Sequence, residues 1–468
     1  MNRANAIELS SQPNSFVEEI KLTAKLGWPI VLSNLTQISL PIIDGVMVGS
    51  IHSNQLAAAS LVINLISIPV LLCMGLTMAI SPLVSASLGK SDYKSPLEIL
   101  VNGMFIGGIF SLLLALIFHF GKEAVFHLGQ DLEVARIAQD YLVIIAWRLV
   151  PFALFSSLSR FAQGLGETRL VMTLNLFTIP LNIFLNYILI FGHWGMPFLA
   201  LKGAGYGTFL TQFFALILFV FIIFRSEKFS RYRIDLGAAI QIKLTRIREI
   251  IKIGVPVGIQ LSLESGAFAF SGLMAGWLGV HQQAAHQIGI YISSLTYVVS
   301  IGICTAGSIR VAFFFGKKDW DSVFSIGKST AILAFIIGSI FSLILIAGYV
   351  HIPSLFSKDL EVIRFAKIVL LMTALFQLSD AIQATSAGIL RGIQDVKIPT
   401  YLSLIAYWVI GIPAGYIFAF QLDWGITGLW MGLILGLSFN ALLLTFRFFR
   451  KVSQSRKLVN ELSILNEF

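Results

Sequence analysis

Glu264 is the single charge in the 28 residues between Lys252 and His281, a stretch apolar and long enough to cross a bilayer. Asp380 is likewise the single charge in the 23 residues from Ile368 to Leu390. Insertion scales put an acidic residue at the centre of a membrane helix at roughly 2.5–3.5 kcal/mol unfavourable. Ionisable groups in such places mark ion or proton paths and need a partner. Two carboxylates close together in a low dielectric cannot both stay ionised cheaply, so a pair shares a proton or a cation. The chemistry these two residues suggest is reversible binding of Na⁺ or H⁺. Gln260, Gln287 and Gln383 lie on the same or adjacent spans and are candidates for support, a role that competes with ordinary hydrogen bonding between membrane helices.

A second set lies earlier in the chain. Asp44 is the only charge between Lys25 and His52. Asn182 and Asn186 are one helical turn apart and face the same way. With Asp44 they would form an oxygen-rich cluster suited to a hard cation or a proton. Arg148, next to Trp147 deep in an apolar span, needs a counter-charge or a water cavity. Asp140 and Asp44 are its candidate partners, and a structural ion pair is favoured over a substrate role.

The elements that hold these residues must be membrane helices. The chain is 56% hydrophobic and 12% charged, with mean hydropathy +0.84, whereas soluble domains carry about 25% charged residues. Its 468 residues hold about a dozen spans. Hydropathy puts them near 24–48, 57–88, 98–120, 132–160, 169–192, 203–224, 248–277, 283–315, 322–350, 361–390, 398–420 and 425–449. Of the Lys and Arg residues, 26 fall in the tails and even-numbered connections and six on the opposite side. By the positive-inside rule both termini are cytoplasmic. The N-terminal segment, lacking a small-residue cleavage site, reads as uncleaved. The net charge of +9 is therefore topology charge and does not indicate nucleic-acid binding. Cys73 and Cys304 sit in apolar spans as small core residues.

The chain repeats itself. At an offset of 227, Pro29 meets Pro256, Met47 meets Met274, Gly49 meets Gly276, and Gly89, Lys90 and Asp92 meet Gly316, Lys317 and Asp319. At 228, Gly164, Glu167 and Arg169 meet Gly392, Asp395 and Lys397. A half of six spans begins and ends on one side, so the repeats are parallel, and the substrate is expected between two lobes that rock. The expected organisation is a cytoplasmic tail (1–23), an N-lobe (24–224), an interlobe linker (225–247), a C-lobe (248–450) and a cytoplasmic tail (451–468).

No Walker loop, H-E-x-x-H or G-x-S-x-G motif is present. The chain reads as a transporter driven by an ion gradient and not as an enzyme. The segments PIIDGVMVGS around Asp44, AAHQIGIYISSL from Ala284, GSIRVAFFFGKKD from Gly307, SDAIQATSAGILRGIQDVK from Ser379 and YWVIGIPAGYIFA from Tyr407 carry a resemblance. Over nearly the whole chain it resembles the multidrug and toxic compound extrusion (MATE) transporters, NorM-type branch. That resemblance implies an all-α, V-shaped protein of twelve helices in two pseudo-symmetric lobes. It implies alternating-access export of organic cations and amphipathic drugs, by a monomer in the lipid bilayer of a bacterial inner membrane, in exchange for Na⁺ or H⁺. It carries a C-lobe cation site over to Glu264 and Asp380 and an N-lobe site over to Asp44, Asn182 and Asn186. Two positions depart from the family. Phe376 replaces a tyrosine one turn before Asp380, which favours protons there, and Arg148 stands where an apolar residue is expected. The alternatives are a lipid-linked oligosaccharide flippase of the same superfamily, which would prefer a cationic cleft, and a non-transporting membrane receptor or scaffold.

Overall fold

A computed structural model of the chain describes residues 15–230 and 241–465. Among them are twelve helices long and apolar enough to cross a membrane. They are α1 (Phe16–Gly49), α2 (Ser53–Gly89), α3 (Ser95–Phe120), α4 (Leu132–Gly164), α5 (Thr168–Phe191), α6 (Leu201–Arg225), α7 (Leu244–Leu278), α8 (Val280–Gly316), α9 (Trp320–Gly348), α10 (Leu360–Gly392), α11 (Lys397–Gln421) and α12 (Gly425–Leu465). No strand occurs among the described residues. In hydrocarbon a helix is the element that satisfies every backbone polar group within its own segment, so an apolar chain of this kind resolves into helices.

Several helices outrun the hydropathy limits. Polar residues at the ends of α1, α7 and α12 extend the helix beyond the apolar core, so the segment expected as the C-terminal tail is helical through Leu465. Most of the expected N-terminal tail, and residues 231–240 of the expected linker, lie outside the described residues.

Prolines shape the helices locally. α2 is interrupted at Ala79, three residues before Pro82, which has no N–H to give the Met78 carbonyl. In α11 two π-helical segments, Ile405–Gly411 and Ile417–Gln421, flank the short α-turn that holds Pro413. Proline cannot donate to Val409, and a widened turn absorbs the missing bond.

The internal repeat is written in the packing. A Cβ on Gly164 would stand 2.7 Å from the Ser81 carbonyl oxygen and 2.9 Å from Val84 Cβ; on Gly392 it would stand 2.8 Å from the Ser308 oxygen and 2.9 Å from Val311 Cβ. These are the same contacts shifted by the repeat, and only glycine permits them. The starts of α3 and α9 match as well: Asp92 accepts from the Ser95 amide at 3.1 Å, and Asp319 accepts from the Ser322 amide at 3.0 Å.

The chain packs as two compact units, and their borders fall inside helices. One unit spans Leu32–Gly258; the other takes the start of α1, through Val31, together with Ile259 onward. The core of the first unit includes Ala58, Val62, Tyr141, Leu142 and Leu201. That of the second includes Ile292, Val369, Phe376, Tyr407 and Trp430. Of the twelve helices α8 is the most enclosed.

Candidate functional site

Two buried acidic sites emerge, one in each unit. In the first unit, α1 brings Asp44, α5 brings Asn182 and Asn186, and α6 adds Thr208. Asp44 is 8% exposed and both asparagines are fully buried. The Asn186 amide donates to Asp44 Oδ1 at 2.6 Å and to Asn182 Oδ1 at 3.3 Å. The Thr208 hydroxyl donates to Asp44 Oδ2 at 2.7 Å. Thr208 was not singled out from the sequence, because a threonine in an apolar helix normally bonds its own backbone. Gly207, beside it, makes room: a Cβ there would stand 2.1 Å from Asn186 Oδ1.

Arg148 joins this site electrostatically, its guanidinium acting on both Asp44 and the buried Tyr141. Asp140, the alternative partner, is engaged elsewhere: Lys202 Nζ lies 2.7 Å from its Oδ2 at the surface. The reason is geometric. Asp140 lies at the exposed end of α4, where a lysine on α6 reaches it with both groups in water.

In the second unit, α7 and α10 bring Glu264 and Asp380 together, 6% and 2% exposed, and each carboxylate lies in the field of the other. Three further polar side chains surround Glu264: Gln383 from α10, Tyr297 from α8 and Tyr407 from the first π-helical segment of α11. Behind Tyr407 stands Asn440 of α12. Asn440 Nδ2 donates to Ser403 Oγ at 3.1 Å, and Gln260 Nε2 donates to the same hydroxyl at 3.1 Å. Gln260 thus supports the site from a distance, Gln383 lines it, and Gln287 is exposed and takes no part. Phe376 packs against Phe268 and Trp430 with ring centroids 5.8 and 5.9 Å away. The hydroxyl that Phe376 does not supply is available beside Glu264 from Tyr297 and Tyr407.

Each site holds a buried polar atom without a partner. Both oxygens of Asp44 accept hydrogen bonds from neutral donors. Beside them Asn186 Oδ1 is buried without a hydrogen-bond partner, and in the second unit so are Asp380 Oδ2 and Gln383 Oε1. Buried polar atoms are rarely left so. Orphaned oxygens around two carboxylates are the donor set of a hard cation, or of a proton shared by the pair. Among the described residues no group of three or more His, Cys, Asp or Glu could hold a transition metal, and both cysteines are buried and outside any disulfide.

Twelve membrane helices in two matching halves that hold buried acidic sites have the architecture of a membrane transporter. The chain belongs to the MatE family, whose pattern matches it twice, over residues 29–188 and 256–417. The two matches begin 227 residues apart, the offset of the repeat. "Probable multidrug resistance protein NorM" of Bacillus cereus is 33% identical over 443 residues, covering 94% of this chain and 97% of that one. The protein of the same name from Rhizobium meliloti is 30% identical over 457 residues, covering 94% and 96%. Among solved structures, a MATE protein in its straight conformation superposes with a TM-score of 0.88 at 17% identity, covering 98% and 100% of the two chains. The eukaryotic MATE transporter AtDTX14 does so with 0.84 at 21% identity, covering 95% and 99%.

Proposed function

We propose that this protein exports organic cations and amphipathic drugs by alternating access, in antiport with Na⁺ or H⁺ taken up at the Glu264–Asp380 pair. The observation that carries the proposal is the pairing of two buried carboxylates, each in the field of the other, with Asp380 Oδ2 and the neighbouring Gln383 Oε1 left without a hydrogen-bond partner. The class of substrate follows the relatives, which bear the name of multidrug resistance proteins, and the acidic character of the buried sites suits cationic cargo. For Na⁺, Glu264 and Asp380 would supply the charge and Tyr297, Tyr407 and Gln383 neutral oxygens; for H⁺, the two carboxylates would share it. In this reading the protein works as a monomer in a bacterial inner membrane, and the distribution of Lys and Arg supports placing both termini in the cytoplasm.

The test is flux of a fluorescent organic cation in proteoliposomes with Na⁺ and proton gradients imposed separately. Wild-type protein is expected to respond to one of them. Glu264→Gln and Asp380→Asn should each cut gradient-driven flux at least tenfold while eluting as a single folded species. Full flux in both variants would remove the coupling role from this pair.

A further inference from the structure

Alternating access, the reading proposed above and the one on which this inference rests, requires a closure at one face that can come apart. The packing of α1 and α7 supplies a candidate. Each opens one repeat, yet each begins by packing on the other repeat: the start of α1 belongs with α8, and the start of α7 with α2 and α3. The two arrangements are copies at the 227 offset. A Cβ on Gly75 of α2 would stand 2.3 Å from Gly258 Cα of α7; on Gly302 of α8 it would stand 3.1 Å from Val31 Cα of α1. Gly254 of α7 abuts Leu76, and Gly27 of α1 abuts Ile303, again at equivalent positions. Small residues of this kind let two helix backbones approach closely.

Each crossing ends in a charged pair at the same level. In α1, Glu19 is ion-paired with Arg310 of α8, which also donates to Thr23 Oγ1 at 2.9 Å. Arg310 is fully buried and Glu19 is 3% exposed. In α7, the residue equivalent to Glu19 is Arg246, with the opposite charge. Its Nε donates to Glu98 Oε2 of α3 at 3.0 Å, and Lys243 pairs with the same carboxylate. Glu19 and Arg246 occupy equivalent positions with opposite charge, but their partners do not: Arg310 lies on α8 and Glu98 on α3, so each crossing carries an ion pair built from a different neighbouring helix. Both pairs lie at the helix ends that the positive-inside rule assigns to the cytoplasm.

We propose that Glu19–Arg310 and Arg246–Glu98 are paired latches: they hold the cytoplasmic face closed through two repeat-crossing helix contacts, and they part when the transporter turns to load its substrate. A contact serving stability alone would stay shut through the cycle. A latch must open in each turnover, and its opening must answer to the coupling gradient.

A cross-link tests this directly. A Cβ on Gly27 would stand 3.4 Å from Ala306 Cβ, close to the roughly 3.5–4.5 Å that a disulfide spans. In a protein carrying Cys73→Ala and Cys304→Ala, the pair Gly27→Cys and Ala306→Cys should form a disulfide on oxidation. Flux in proteoliposomes should then fall at least tenfold and return with dithiothreitol. Equal flux in oxidised and reduced forms would overturn the proposal. A second measurement is independent of flux. Ala306→Cys alone, at a position buried in this structure, is treated with a membrane-impermeant maleimide from the cytoplasmic side. Its labelling rate should change severalfold when the coupling gradient is imposed or collapsed. It should rise in Arg310→Gln and fall back when Glu19→Arg is combined with Arg310→Glu. Labelling indifferent to any gradient would mean a static contact and would also overturn the latch. If wild-type protein itself carries no flux, the transport reading fails, and the labelling arm still decides the latch.

Discussion

Asp44 and Thr208 show what a single hydroxyl can do in a buried site. Thr208→Val keeps the shape of the side chain and removes the donor, leaving Asp44 Oδ2 without its 2.7 Å bond. An unsatisfied buried acceptor costs about 1–3 kcal/mol, so the melting temperature of the purified protein in detergent should drop measurably. Thr208→Ser should recover most of the loss; if valine and serine melt alike, the hydroxyl does not anchor Asp44. Which residues the sequence disclosed follows the same physics. Asp44, Glu264 and Asp380 stood out because a charge in an apolar span is expensive, and Asn182 and Asn186 because their spacing puts them on one helix face. Thr208, Tyr297, Tyr407 and Asn440 did not stand out, because uncharged polar residues occur throughout membrane helices for packing and nothing in their spacing separates a site from a contact. Tyr407 had one legible signal: it precedes Pro413 by six residues, in a run whose lost backbone bond produces the π-helical turn that carries it.

At the scale of the element, helix starts and helix crossings carry the predictions. Asp92 holds the start of α3 through the Lys94 and Ser95 amides, each at 3.1 Å. Burial works against its charge, but the Ser95 and Lys94 hydrogen bonds and the Arg246 guanidinium outweigh it and hold its carboxyl below the ordinary carboxylate range. A carboxyl with a depressed folded-state pKa stabilises the fold above its unfolded pKa, and that contribution is lost as pH falls through the folded value. Thermal stability should therefore decline below about pH 4 more steeply in wild-type protein than in Asp92→Asn, which should itself cost about 1 kcal/mol at neutral pH, as lost helix caps do. Parallel profiles for the two proteins would remove Asp92 from the account. The helix crossings make a sharper contrast. Gly75→Ala puts a methyl against the Gly258 backbone and should cost about 1–3 kcal/mol through forced displacement. Gly45→Ala meets nothing within 4 Å and should be neutral or stabilising by up to about 1 kcal/mol. Thermal melts of the two variants side by side decide the matter, and equal destabilisation would mean that close approach at Gly75 is not what fixes this contact.

At the scale of the molecule, the number of helices was legible because the bilayer imposes a length and a polarity on every span, and the repeat was legible because its landmarks are glycines and prolines that packing cannot replace. What hydropathy could not disclose is that the compact units do not follow the repeat, since that depends on which helix faces meet. The lobe limits expected from the sequence divide the chain at the linker, whereas the packing divides it inside α1 and α7. A consequence can be tested with the chain cut in two. If the two halves of the sequence are joined by noncovalent contacts at the starts of α1 and α7, residues 1–235 and 236–468 expressed together as separate chains should assemble in the membrane. An affinity tag on one half should then bring down the other. Glu98→Lys, which sets like charges against Lys243 and Arg246, should reduce recovery of the partner half, and Glu19→Lys against Arg310 should do the same from the other crossing. Glu361→Lys, at a carboxylate that pairs with Arg364 of its own helix turn, should leave recovery unchanged. Halves that fail to co-purify, or three variants that behave alike, would show that the linker and not the crossings holds the molecule together.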